Sequence, residues 1–409
     1  MRIGIYGGTF DPIHIGHVRA AEAAIKELAL ERLLLIPAGI PPHKQLPEES
    51  AAAEHRLAMT ALAAEQIQQN TGVAVEALDL ELQRAGKNYT CDTLAALRGQ
   101  YPEDELWLLM GTDMFFSFQQ WRDPQEIVRC ANLAVFRRYS EDLQRDFQQQ
   151  ARLICDSFGQ TKICTVELPH ITELSSTQLR QQLQDGAGQE GLLPQIYGYI
   201  LRHELYGTKA DMKHLTLDEL RYVALSFLKA KRIPHVLGTE QAAAELARRY
   251  GEEEEIARRA ALLHDCAKRL DRKQQLETAE RYGLPVDELE REETGLLHAK
   301  NGAAMARDLL GVDDAIYSAI YWHSTGKADM NTLEKIIYIA DYIEPTRSFP
   351  EVEKLRQATA RSLDEGLYAG LANTLEDTLR RGKKVHEKSR EAMIYLEKQN
   401  PQLRKKDSD

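Results

Sequence analysis

Two hydrophobic periods divide the chain. Up to about Tyr206, short apolar runs recur between amphipathic stretches, as at Ile3–Tyr6, Leu33–Ile36, Leu106–Leu109 and Leu133–Phe136. Runs this short, bounded by polar sequence, read as buried strands, and the segments between them, 15–28, 51–69 and 90–98, carry apolar residues at helical spacing. The alternation predicts βαβ units around a parallel sheet. After about Gly207 the strand-like runs largely stop. Segments of helical period follow at 217–231, 234–250, 252–269 and 333–343, which predicts an all-α second half. The expected organisation is an α/β domain at 1–206, a polar linker at 207–213, an all-α domain at 214–400 and a polar tail at 401–409. A length of 409 residues agrees, since domains run to roughly 100 to 200 residues.

Composition narrows the class. With 43% hydrophobic and 28% charged residues, the chain has apolar mass for cores and charge for solubility, which disfavours disorder and a membrane protein. No apolar run approaches the roughly 18 residues of a membrane span, and Met1–Tyr6 enters a strand without a signal-peptide pattern, so a cytoplasmic location is expected. Cys91, Cys130, Cys155, Cys164 and Cys266 form no C-x-x-C pair and suggest neither a disulfide framework nor a cysteine zinc site. A net charge of -11 argues against bulk attraction to nucleic acid but not against small anions in locally basic pockets. The expected ligands are therefore small molecules, with no nucleic acid or membrane partner; a homo-oligomer is compatible with the sequence.

The first strand runs straight into Gly7-Gly8-Thr9-Phe10-Asp11-Pro12-Ile13-His14-Ile15-Gly16-His17, and a helix starts near Ile15. Paired glycines let backbone N–H groups approach a ligand, and a helix start behind them favours negative charge, which suits phosphate. His14 and His17 are three apart, face the same way on a helical turn, and can donate to phosphate oxygens as charge builds in a transfer reaction. A glycine pair alone would be only a capping turn; the whole segment is specific. It resembles the signature of the nucleotidyltransferases of the cytidylyltransferase-like superfamily, whose fold is a doubly wound, Rossmann-like sheet. Ile171-Thr172-Glu173-Leu174-Ser175-Ser176-Thr177-Gln178-Leu179-Arg180 is similar to that superfamily's late Ser-Ser-Thr-x-x-Arg element. There a capped helix start and a guanidinium fork embrace the ATP phosphates. The resemblance implies ATP contacts at Gly7, Gly8, Thr9, Phe10, His14, His17, Ser175, Ser176, Thr177 and Arg180.

Three more stretches resemble the nicotinate-mononucleotide adenylyltransferases: Pro37-Ala38-Gly39-Ile40-Pro41-Pro42-His43-Lys44, Asn88-Tyr89-Thr90-Cys91-Asp92-Thr93-Leu94, and Gly111-Thr112-Asp113-Met114 with Trp121-Arg122-Asp123. Cys91 stands where a second tyrosine is commoner and Thr112 where alanine is, neither a group the chemistry needs. The resemblance covers residues 1–205. It implies that Trp121 stacks on the pyridine ring, that Thr90 and His43 line the nicotinate mononucleotide pocket, and that Asp113 holds the ATP ribose. The implied reaction is attack of the mononucleotide phosphate on the ATP α-phosphorus, giving deamido-NAD and pyrophosphate. Catalysis would then be positioning and charge neutralisation by His14, His17, Lys44, Arg180 and a Mg²⁺ bridging phosphates. Pantetheine-phosphate and nicotinamide-mononucleotide adenylyltransferases share the phosphate signatures, and the Pro41–Lys44 and Trp121–Asp123 segments discriminate against them.

In the second half, His264-Asp265 follows the apolar Ala260-Ala261-Leu262-Leu263, so two polar groups end a stretch that should be buried. A divalent metal would satisfy them. The order His235, His264-Asp265, Asp341 resembles the ligand pattern of the HD-domain phosphohydrolase superfamily, an all-α fold. Around His298, at Tyr321-Trp322-His323-Ser324-Thr325-Gly326 and through Leu333–Arg347, the chain is similar to the bacterial HD-domain symmetrical diadenosine tetraphosphatases, over about residues 212–400. That family implies His235, His264, Asp265 and Asp341 as ligands to a transition metal, iron being expected, with His298, His323 and Arg347 at the phosphates. Lys268 either reaches a phosphate or snorkels from its helix. Cys266-Ala267-Lys268-Arg269-Leu270 lacks the Glu-Asp pair of alarmone hydrolases, and no Gly-Tyr-Pro triplet points to cyclic dinucleotides. The expectation is a bifunctional enzyme that makes deamido-NAD and cleaves diadenosine tetraphosphate to two ADP. The alternative is an adenylyltransferase carrying an adenylate-sensing HD module.

Overall fold

The apolar runs of the first half become an all-parallel sheet in the computed structural model, which describes residues 1–40, 49–84, 86–137, 143–168 and 174–403. The strands are β1 (Arg2–Gly8), β2 (Arg32–Pro37), β3 (Ala74–Ala77), β4 (Glu105–Gly111), β5 (Asn132–Arg137) and β6 (Ile163–Glu167). They lie in the order β3-β2-β1-β4-β5-β6. The central runs are continuously apolar because both faces of a doubly wound sheet are covered. β3 and β6 escape that signature: they are the edge strands, and each buries a single side chain, Val75 and Val166. Helices pack one face through Val18, Ala21, Met59, Ile67 and Ile196, and the other through Leu94, Leu97, Phe115, Ile127 and Ile154. Tyr6 pairs with Leu35 on one side and Leu109 on the other. The order reverses between β1 and β4, so their C-terminal ends flank the crevice where such sheets bind ligands.

The chain divides into two compact units, Met1–Lys209 and Ala210–Asp409. The second contains only helices among the described residues. Two segments read as single helices are broken. The 217–231 stretch is a helix Leu217–Ser226 and a short 3₁₀ turn Ala230–Arg232, after which Ile233–Tyr250 follows. The 252–269 stretch stops as a helix at Leu263. In both places the backbone tightens into i→i+3 bonds, from Phe227 to Ala224, Leu228 to Leu225, Cys266 to Leu263 and Lys268 to Asp265. The second break delivers His264 and Asp265 off the helix end. Thr332–Ile343 begins at a capping box between Asn331 and Glu334 and carries Asp341 on its last turn. No helix among the described residues is long and apolar enough to cross a membrane, and the five cysteines are free.

Candidate functional site

In the first unit, the loop after β1 is held by a buried polar network. Asp11, 1% exposed, accepts from the Tyr206 hydroxyl at 2.8 Å and the Ala51 N–H at 3.0 Å. Its backbone carbonyl accepts from Arg180 at 2.7 Å. The buried Arg56 donates to the carbonyls of Thr9 and Ala38 at 2.8 and 2.6 Å. Phe10 sits at φ 48 in the left-handed region, with its ring packed edge-on to Tyr6 and His17. A Cβ on Gly8 would come within 2.8 Å of that ring, so the second glycine of the pair is required by close packing.

The helix Ile15–Glu27 starts at a capping box built from histidines. His14 Nδ1 accepts from the Gly16 N–H at 3.1 Å, and His17 Nδ1 accepts from the His14 N–H at 3.2 Å. With each Nδ1 an acceptor, the neutral rings carry their proton on Nε2 and present it as a donor. Burial pushes the His14 imidazole down to about 4 and holds His17 well below its ordinary value, with the neighbouring His14 adding to the second shift. These are neutral donors, 3.8 Å apart between ring centres.

A cavity of about 410 Å³ opens between the ends of β1 and β4. Gly7, Gly8, Thr9, His17, Thr90 and Trp121 all line it. Trp121 is half-buried, with its ring centre 5.5 Å from that of Phe118, so its indole belongs both to the core and to the cavity wall. His14, Asp113, Ser175, Ser176, Thr177 and Arg180 are not among the lining residues. Asp113 is exposed on the short helix Thr112–Phe116. Ser175 caps the helix Ser176–Gln184 through the Gln178 N–H, and Ser176 donates to the Pro12 carbonyl at 3.1 Å. His43, Lys44 and the 171–173 part of the late signature lie outside the described residues. Sequence reasoning left Tyr89, Arg122 and Glu81 unassigned, yet all three line the cavity, the Arg122 guanidinium lying 4.4 Å over the Tyr89 ring. Tyr89 and Arg122 stand inside stretches that resemble the family, which was the signal available for them, and Glu81 had none.

In the second unit, four histidines from four segments converge on two carboxylates. Each Nδ1 is taken: His264 by the Ala261 carbonyl at 2.6 Å, His298 by Gly295 at 2.6 Å, His323 by Ile320 at 2.7 Å and His235 by the Glu344 carboxylate at 3.0 Å. Only acceptors face Nδ1 of His235, His264 and His323, and at His298 Nδ1 the Gly295 carbonyl at 2.6 Å is nearer than the Lys268 ammonium at 3.3 Å, so each carries its proton there and turns a bare Nε2 lone pair inward. His235 Nε2 lies 3.1 Å from Asp341 Oδ1, His264 Nε2 3.6 Å from Asp265 Oδ2, and His298 Nε2 3.3 Å from Asp265 Oδ1. His323 Nε2 is 3.1 Å from His298 Nε2. The Nε2 atoms of His235 and His264 are buried without a hydrogen-bond partner. Inward lone pairs facing carboxylates repel one another unless a cation lies among them, so the donor set fits a divalent ion. His235, His264 and Asp341 form one such group, and His264, Asp265 and His323 another.

The charge state agrees. Burial holds His264 far down and lowers His298 and His323 to about 3, with the Lys268 charge adding to the His298 shift, so these three imidazoles stay neutral. Burial opposes ionisation of Asp341, but the Arg347 guanidinium against it favours the charged form, and its carboxyl lies well below the usual range. Arg347 donates to both the carbonyl and the carboxylate of Asp341, and Arg232 pairs with Asp265. Lys268 Nζ lies 3.0 Å from His298 Nε2 and is drawn down to about 8 by desolvation and then by Arg232. It therefore reaches into the cluster. Arg232, Ser324 and Glu344 surround the site without having been singled out; partners as far apart as His235 and Glu344 leave no periodic trace.

Residues 5–182 match the Cytidylyltransferase-like family and residues 232–346 match the HD domain family. A probable nicotinate-nucleotide adenylyltransferase of Shewanella sp. (strain MR-4) is 38% identical over 218 residues, spanning 50% of this chain and 99% of that protein. One from Chromobacterium violaceum is 40% identical over 215 residues, spanning 50% and 98%. Among solved structures, a predicted HD superfamily hydrolase involved in NAD metabolism from Clostridium acetobutylicum is 36% identical, with TM-score 0.44, over 46% of this chain and 99% of that one. The Plasmodium falciparum nicotinic acid mononucleotide adenylyltransferase complexed with NaAD is 18% identical, with TM-score 0.41, over 51% and 99%. The chain belongs to the nicotinate-nucleotide adenylyltransferase family through its first half and carries an HD domain fused behind it.

Proposed function

We propose that the chain is bifunctional: it transfers adenylate from ATP to nicotinate mononucleotide, and it hydrolyses diadenosine tetraphosphate symmetrically to two ADP. The first reading rests on the cavity that joins Gly7, Gly8, Thr9, His17, Thr90 and Trp121 at the reversal of strand order. A phosphate oxygen is already anionic at neutral pH, so no general base is needed, and the residues only orient and neutralise. His17 and His14 offer neutral Nε2–H donors to the phosphates, Trp121 offers an indole face to the pyridine ring, and Asp113 holds the ribose. Mg²⁺ accompanies ATP. Arg180 acts on the phosphates from beside the loop that it also secures through Asp11. Lys44 and His43 complete the proposed set.

The second reading is carried by one observation: the inward convergence of neutral imidazole lone pairs and two carboxylates. His235, His264, Asp265 and Asp341 would hold a divalent transition ion, iron being the expected one. When bound, that ion supplies Lewis acidity and acidifies water. Lys268, His298, His323 and Arg347 bind and orient the polyphosphate, and Lys268 is available to protonate a departing phosphate oxygen. One preparation tests both halves. Incubation with nicotinate mononucleotide and ATP should give deamido-NAD and pyrophosphate, and diadenosine tetraphosphate should give ADP alone. Formation of AMP with ATP, or hydrolysis confined to guanosine alarmones, would overturn the second assignment.

A further inference from the structure

Glu344 lies just beyond the last turn of the Thr332–Ile343 helix, fully buried, with both carboxylate oxygens committed. Oε1 accepts from His235 Nδ1 at 3.0 Å and from the Thr346 hydroxyl at 2.6 Å, and Oε2 accepts from the Thr346 N–H at 2.6 Å. The carboxylate reaches His235 through a gap in the helix Ile233–Tyr250. A Cβ on Gly238, three residues beyond His235 and thus on its face, would lie 2.4 Å from Glu344 Oε2. Helix interiors disfavour glycine, so this position gives up local stability to admit a carboxylate.

We infer that Glu344 is the positioning residue of the metal site: it fixes the protonated Nδ1 of His235 and so aims the Nε2 lone pair at Asp341, with Gly238 as the opening that admits it. The inference rests on the reading of His235 as a metal ligand. A carboxylate behind a ligating imidazole sets its tautomer, orientation and basicity, and losing such a partner typically weakens metal binding about 10- to 100-fold. Glutamine cannot replace it. Three donors face two oxygens, and an amide has one oxygen, so one donor must meet an NH₂.

The test titrates Co²⁺ into the metal-free full-length chain and follows its visible absorption, with thermal unfolding of the metal-free protein in parallel. Glu344→Gln should weaken Co²⁺ binding about 10- to 100-fold. In a His235→Ala background the same change should alter affinity by less than about twofold, because the partner through which it acts is gone. Equal losses in both backgrounds would show Glu344 to be a structural prop of its turn and overturn the inference. Should Glu344→Gln fail to fold, Gly238→Ala decides by displacing the carboxylate while leaving it in the chain: weaker Co²⁺ binding with an altered spectrum supports the inference, and unchanged binding refutes it. If His235→Ala alone leaves Co²⁺ affinity untouched, the metal-site reading fails first, which is a distinguishable result.

Discussion

Replacing His17 by asparagine should separate two roles that one imidazole combines. Nδ1 of His17 closes the capping box by accepting the His14 N–H at 3.2 Å, and Nε2 offers a proton toward the cavity. An asparagine amide oxygen reaches the place of Nδ1 but carries nothing to the place of Nε2. His17→Asn should therefore unfold within about 0.5 kcal/mol of the wild type, while His17→Ala, which loses the cap, should cost about 1 kcal/mol. Turnover to deamido-NAD should fall in both by roughly 10²- to 10³-fold, the cost of about 3 kcal/mol for one preorganised donor to a transition-state charge. His17→Gln inverts the trade: its amide N–H reaches the Nε2 position, so it should lose the cap yet retain more turnover than asparagine. Urea unfolding and steady-state pyrophosphate release would be measured on all three variants. Near-normal turnover of His17→Asn would refute the donor assignment. Glutamine no better than asparagine would show that the role is not that of a neutral donor.

Three further outcomes are expected. His14 is depressed to about 4 from an ordinary value of 6.5, so the unfolded chain binds the proton first as pH falls, and stability should drop between pH 6.5 and about 4. His14→Asn keeps the cap without the titration and should lose about 2 kcal/mol less than wild type between pH 7 and pH 5 by urea unfolding; parallel losses would refute this. Trp121→Ala should raise KM for nicotinate mononucleotide far more than for ATP, by about 1 to 3 kcal/mol of lost stacking, and a shift in the ATP constant instead would assign the indole to core packing. Asp265→Ala should abolish metal retention and diadenosine tetraphosphate cleavage with adenylyl transfer within about twofold; full metal content by elemental analysis would refute the ligand assignment.

What the sequence conveyed depended on the range of each interaction. The four central strands and the break before an all-α half were legible from apolar runs and a change of period. β3 and β6 were not, because an edge strand that buries one residue leaves no run. His14 and His17 were read as a pair facing one way, but the capping box was missed because imidazoles are not the usual capping residues. Arg180 was read as a free fork for phosphate, whereas its guanidinium rests on Asp11, 169 residues away in sequence. Arg347 likewise lies on Asp341. His264-Asp265 at the end of an apolar stretch announced a buried polar demand, whereas Arg232, which answers part of it, and Glu344, which holds His235, carry no such local mark.

The Tyr206 hydroxyl on Asp11 has a consequence for synthesis. The loop between Gly8 and His14 leaves the ribosome long before one of its fastenings, which comes from a residue 195 positions later. During elongation β1 can pair with β2 early, β4 joins after about seventy more residues, and Arg180 and Tyr206 reach Asp11 only at the close of the first unit. A nascent chain halted before Tyr206 would hold the sheet and the glycine pair but leave the Asp11 carboxylate short of its hydroxyl donor. Buried polar groups missing a partner are costly, so the loop should settle only when that tyrosine arrives. Adenylyl transfer competence would then mark the completion of the unit rather than the formation of its sheet.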